Sequence, residues 1–195
     1  MTAAAVAKSK QPCSPVPSDA TTPEAAAAAP VPFLSRWLTY RRLWAILLVV
    51  IALDQASKAW INAHLPLGTY GRPGAITVVN GFLYLVHVGN TGAAWSMLTG
   101  RSVLLAVLAA ATLVGIFFWR HALGLRDRTA QISFGLLCGG IIGNLSDRLV
   151  YGHVIDFIDF HFGSYTYPTF NIADSAICVG VLLYLIHSLR QPEGS

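Results

Sequence analysis

Four stretches of the chain are apolar enough to read as helices that cross a bilayer: Leu43–Ala63, Ser102–Trp119, about Ala130–Val150 and about Asn171–Leu189. Each comes near the ~20 residues that the hydrocarbon core requires, and the second carries no charge at all. Between the first two the period changes. Residues 75–88, "AITVVNGFLYLVHV", are two β-rich runs joined by Asn80-Gly81, which predicts a tight β hairpin over about 75–98. Such a hairpin beside a membrane has an apolar face to cover, against the bilayer or an apolar ligand. In the third stretch Gly135, Gly139 and Gly143 recur every four residues, a spacing that lets helices pack closely in lipid. The predicted fold class is a mainly α membrane protein, with four transmembrane helices and a small extracytoplasmic β element.

Composition agrees with this pattern. The chain is 54% hydrophobic and 11% charged, with a mean hydropathy of +0.56, outside the usual range of soluble domains. Residues 1–35 are rich in Ala, Pro, Ser and Thr and hold six of the ten prolines. A segment like this cannot bury enough surface to offset its ordering entropy, so it reads as a disordered extension, with a transit peptide as the alternative. Residues 36–190 then form the transmembrane domain and 191–195 a tail. Cys138 and Cys178 lie in apolar stretches and read as small core residues; with Cys13 they make neither a disulfide framework nor a metal-ligand spacing.

The basic residues orient the chain. Lys8, Lys10, Arg36, Arg41 and Arg42 precede the first span, Arg120, Arg126 and Arg128 separate the second from the third, and Arg190 follows the fourth: nine of thirteen Lys and Arg. Positive loops stay cytoplasmic, so both termini are expected inside, and residues 64–101 and 151–170 outside.

Charged groups inside spans are costly and mark either a function or a structural pair. Asp54 and Lys58 are four apart on one helix face; they read as an internal ion pair or as groups that position a site. Asn144, Asp147 and Arg148 share a face near the outer end of the third span, with Asp147 read as the partner of Arg148. Asn171 suits the N-cap of the fourth span, with Asp174 in its first turn, where capping and the helix dipole already favour a carboxylate. Asp156 and Asp159 follow the third span in a strand-like alternation, and Asp159 is read as the one that faces water.

The orientation brings Asp54, Asp147, Asp156 and Asp174 to similar depth near the outer surface. If Asp156 and Asp174 touch, they share a proton, and such a pair can take a proton from water and donate one to a leaving nitrogen. That is peptide hydrolysis with no metal or cofactor. No HExxH or GxSxG motif suggests another route, and His87, His121, His153, His161 and His187 are scattered, which suits interfacial positions better than a ligand set.

These residues match a known pattern. "DQASKAW" in the first span, "NTGAAWS" at 90–96, "GNLSDRLVYGHVIDFI" at 143–158 and "FNIADS" at 170–175 occur in order, and on them the chain resembles the lipoprotein signal peptidases, the type II signal peptidases of bacteria, from about residue 43 to 189. The resemblance implies an aspartic endopeptidase of the inner membrane that removes the signal peptide before a diacylglyceryl-modified cysteine. It puts the catalytic aspartates at Asp156 and Asp174. By the same resemblance Asn144, Asp147, Arg148, Asn171 and Ala173 shape the site, while Asp54, Lys58, Asn90 and Gly92 support it or contact substrate. The partners implied are a prolipoprotein and membrane lipids, with no nucleic acid, and a monomer is expected. The departure is the extension before residue 36, longer than is usual in the family. Two other classes stand beside this reading: a proton or ion transporter that uses intramembrane carboxylates, and a non-catalytic scaffold in which the aspartates only cap and pair.

Overall fold

The computed structural model describes residues 38–70, 74–93 and 97–190. The predicted extension over 1–35, the tail over 191–195 and Ala94, Trp95 and Ser96 of the second motif block lie outside the described residues. In chain order come helix α1 (Arg41–His64), strands β1 (Ile76–Val79) and β2 (Leu83–Asn90), helices α2 (Ser102–Trp119) and α3 (Arg128–Tyr151), strands β3 (Val154–Phe162) and β4 (Tyr165–Thr166), and helix α4 (Ile172–Arg190).

Helix α1 buries Leu43, Leu47, Val50, Asp54, Lys58 and Ile61, a stripe spaced three and four apart that follows the helical period. Asp54 and Lys58 therefore face protein, while Leu48, Val49, Leu53 and Trp60 turn outward. The stripe meets α3 on its glycines. A Cβ at Gly135 would fall 3.0 Å from Ile46 Cβ, and one at Gly139 2.8 Å from Val50 Cβ. Gly140 meets the backbone of Ala173, so α4 packs on another side of α3. Helix α3 is thus the centre of the bundle, and its inner core gathers Leu43, Leu47, Leu125, Phe134 and Cys138. Asp127 caps its start by accepting from the backbone N–H groups of Thr129 and Ala130.

Among the described residues three helices, α1, α2 and α4, are long and apolar enough to cross a membrane. Helix α3 equals α1 in length at 24 residues, about 36 Å at ~1.5 Å per residue. It mixes Arg128, Gln131, Asn144, Asp147 and Arg148 among its apolar turns, which lowers its hydropathy. Its neighbours cover much of that surface, with eleven of its residues buried.

Gly152, at φ 76°, ends α3 and turns the chain into β3; a left-handed residue here favours glycine. The sheet has the order β1-β2-β3-β4 with antiparallel neighbours. The predicted hairpin is present, with a three-residue connection, Asn80–Phe82, in which Gly81 has φ 78°. Its second strand stops at Asn90, short of the expected 98, and β3 then pairs along β2, with Tyr84 opposite Asp159 and Val88 opposite Asp156.

Two sequence expectations are corrected here. Asp159 does not face water: it is 0% exposed, because β2 flanks its strand and the end of α1 packs Ile61 and Leu65 against Ile155 and Phe157 on the same face of β3. Cys178 is not a core residue: it is free and exposed, whereas Cys138 is buried. Apolar sequence neighbours on a helix do not tell a buried face from one that borders open space.

Candidate active site

A buried ion network forms the floor of the site. Lys58 Nζ lies 2.8 Å from Asp54 Oδ2 and 2.8 Å from Asp147 Oδ2, and donates its third bond to Asn144 Oδ1 at 3.0 Å. All three ammonium donors are therefore engaged. Asp54 Oδ1 accepts from the backbone N–H of Ala173 at 2.9 Å, which ties α1 to the first turn of α4. Asp147 Oδ2 accepts from the N–H of Ile155 at 3.1 Å, which ties α3 to β3. The expected pairing of Asp147 with Arg148 does not form. Adjacent residues on a helix diverge by about 100°, and Lys58 reaches Asp147 from the neighbouring helix. Arg148 instead donates to the carbonyls of Asn144 at 3.2 Å and Gly92 at 2.9 Å.

Above this floor a set of amides meets Asp156 and Asp174. Asn171 precedes α4 and accepts the Asp174 N–H on its Oδ1 at 2.9 Å, while Asp174 Oδ2 accepts the Asn171 N–H at 3.2 Å. This reciprocal pair is a capping box, so the N-cap reading and proximity to the site hold together. The side-chain amide of Asn171 donates to Asp156 Oδ1 at 2.8 Å. Asn144 Nδ2 donates to Asp174 Oδ1 at 2.7 Å, and Asn90 Nδ2 to Asp156 Oδ2 at 3.0 Å. Asn90 is fixed in turn by the Gly92 N–H on its Oδ1 at 2.8 Å. Every oxygen of the two carboxylates thus meets a neutral amide donor. Burial pushes the Asp156 carboxyl up to about 7, and the Asp174 charge adds to this; the Asn90 and Asn171 bonds and the more remote Lys58 pull the other way.

Asn90, Gly92, Asn144, Arg148, Asp156 and Asp174 line one cavity of about 870 Å³. Residues 88–93 form one wall, 166–170 another, and α4 contributes Ser175, Ile177 and Cys178. The predicted residues divide in two. Asp54, Lys58, Asp147, Asn171 and Ala173 are buried beneath the cavity; the rest open onto it. Among the described residues no cluster of His, Cys, Asp and Glu could hold a metal ion. One participant was not foreseen. Gln55 Nε2 donates to Asp147 Oδ1 at 3.0 Å, Asp54 Oδ2 at 3.1 Å and the Gly143 carbonyl at 3.3 Å. Its polar amide beside Asp54 in an apolar span was the signal.

Comparison with known proteins bears on the family. The chain matches the family described as Signal peptidase (SPase) II over residues 46–190. A relative from Bacillus pumilus (strain SAFR-032), named lipoprotein signal peptidase, is 39% identical over 144 residues, which covers 74% of this chain and 90% of that protein. Two similar solved structures are described as bacterial membrane enzymes. One has a TM-score of 0.68 at 30% identity and covers 77% of this chain and 92% of that one. The other has a TM-score of 0.63 at 29% identity and covers 76% and 92%. On the family match and the identity to this relative, the chain belongs to the signal peptidase II family.

Proposed function

We propose that the chain removes the signal peptide from diacylglyceryl-modified prolipoproteins, cutting before the lipidated cysteine, with Asp156 and Asp174 as its acid–base pair. The observation that carries this is Asn171, which donates its side-chain amide to one carboxylate and its backbone N–H to the other. Both carboxylates then face one cavity with a proton to share. A water held between them attacks the scissile carbonyl carbon. The ionised carboxylate takes the water proton, and its protonated partner gives a proton to the carbonyl oxygen, leaving a tetrahedral diol. As the diol collapses, the carboxylate left ionised takes a proton from one of its hydroxyls, the protonated one gives its proton to the nitrogen of the lipidated cysteine, and the C–N bond breaks, which releases the amine and restores the singly protonated pair. Asn90, Asn144 and Asn171 hold the carboxylates, while Arg148 braces the Gly92 backbone at the cavity wall.

The enzyme sits in the bacterial inner membrane with four spans, α3 included, as a monomer. Both termini are cytoplasmic, and the cavity opens near the extracytoplasmic surface, so the substrate's acyl chains stay in the bilayer while its peptide bond reaches the carboxylates. The transporter reading is set aside: the family is a peptidase family, and the carboxylates gather at one level rather than forming a relay.

Purified protein is expected to cleave a lipidated prolipoprotein. Asp156→Asn and Asp174→Asn each lower the rate by at least ~10²-fold with the fold retained by circular dichroism. Wild-type rates in both variants would overturn the pairing.

A further inference from the structure

A second polar cluster lies behind the cavity and takes no part in the chemistry above. Along β3 the side chains alternate, so Asp156, Ile158 and Phe160 share one face, and Phe157, Asp159 and His161 the other. Asp159 is fully buried, with its Oδ2 2.8 Å from His161 Nε2. Among the described residues no donor reaches its Oδ1. A buried carboxylate accepts, so the His161 ring donates from Nε2 and turns Nδ1 the other way. There it meets Thr166 Oγ1 at 3.4 Å. His161 and Thr166 are also partners in the β3–β4 ladder, and the Tyr84 ring stands edge-on to the imidazole at 5.0 Å. Tyr70, on the cavity's rim, belongs to the same neighbourhood: partial burial and then the Asp159 charge raise its phenol.

Thr166 opens the segment 166–170 that forms one wall of the cavity. The backbone of that segment is tied to β3 through the Tyr167 N–H on the Phe160 carbonyl at 2.9 Å and the Phe170 N–H on the Ile158 carbonyl at 3.2 Å. On the side chains, the imidazole joins the wall to an immobile anchor. Asp159 cannot move without breaking the packing around it, and its one bonded oxygen fixes the plane of the ring.

We propose that His161 is a positioning residue for substrate: anchored on Asp159, it sets the wall 166–170 against which the peptide lies. The proposal rests on the reading of the cavity as the substrate cleft. His161 is five residues along the strand from Asp156, about 17 Å at ~3.3 Å per residue. The wall at Thr166 therefore touches substrate away from the scissile bond, and its displacement weakens binding without altering the chemical step.

The test uses the full chain and a lipidated prolipoprotein peptide. His161→Ala raises KM roughly tenfold with kcat kept, the scale of one hydrogen bond to a charged group. His161→Gln, whose amide can donate to Asp159 and accept from Thr166, restores most of the loss. If His161→Ala does not fold, Thr166→Val, which removes only the hydroxyl, raises KM roughly two- to threefold with kcat kept. An unchanged KM in these variants, an equal loss in kcat, or a Gln variant as impaired as Ala would overturn the proposal. Failure of the dyad reading is separate, since it appears in Asp156→Asn and Asp174→Asn whatever His161 does.

Discussion

Asn90→Ala is expected to move the alkaline limb of activity to higher pH. Asn90 donates to Asp156 Oδ2 at 3.0 Å, and a bond to the ionised form favours that form. The Asp156 carboxyl already lies at about 7, raised by burial first and by the Asp174 charge second, with Asn90 the largest influence in the opposite direction. Without Asn90 it rises further, so the pair keeps its shared proton to a higher pH and the limb shifts upward. A hydrogen bond to a charged group contributes ~1.5–3 kcal/mol, and one pH unit corresponds to about 1.36 kcal/mol, so the full effect is roughly one to two units. Asn90 is half-buried at a cavity wall, where water can replace part of the lost donor, so a shift of about one unit is expected. Asn90→Asp removes the same donor and adds a like charge, and shifts the limb at least as far. The assay is kcat/KM for a lipidated peptide measured across pH, which reports the free enzyme's groups. Stability has a consistent sign. The folded protein holds a proton on Asp156 that the unfolded chain releases at lower pH, so this group's contribution is complete at low pH and is lost as pH rises through about 7. An alkaline limb that stays in place or moves down in Asn90→Ala would refute the reasoning.

Lys58→Met leaves Asp54 and Asp147 buried without their counter-ion and destabilises the fold by ~3–5 kcal/mol; thermal unfolding in detergent measures it, and an unchanged midpoint would contradict the buried network. Orientation can be read in a background without the native cysteines. Ser164→Cys, on the exposed β3–β4 turn, reacts with an impermeant maleimide in intact spheroplasts, whereas Arg126→Cys, in the exposed α2–α3 loop, reacts only after permeabilisation. The reverse pattern would invert the topology.

Much of the fold was legible because its signals are local. Four helix-forming stretches, the hairpin at Asn80-Gly81 and the Asn171 cap each follow from a short run of sequence and the backbone physics of that run. The misreadings arise where the deciding partner is distant. Asp159 sits in an alternating strand, and alternation cannot reveal that both faces are covered; the cover comes from α1, about 95 residues away in sequence. Asp147 and Arg148 looked paired as neighbours, but the ammonium of Lys58 lies across a helix interface that only the glycine contacts of α3 bring so close. Cys178 was assigned to the core because apolar sequence neighbours do not distinguish a buried helix face from one that borders a cavity.

The charges beneath the cavity suggest why a lysine is present yet kept away from the proposed pair. An ammonium bonded directly to Asp156 or Asp174 would favour two ionised carboxylates, and the pair would have no proton to donate. Here Asp54 and Asp147 engage Lys58 from two sides, and its third bond ends on the Asn144 carbonyl oxygen. That bond, with the Asn171 donor at 3.2 Å on the same oxygen, fixes the flip of the Asn144 amide, so its Nδ2 must face Asp174. The charge is thus converted into orientation. The pair meets only neutral donors, strong enough to hold both carboxylates in place and weak enough to leave Asp156 at about 7, where it can both hold and release a proton near neutral pH.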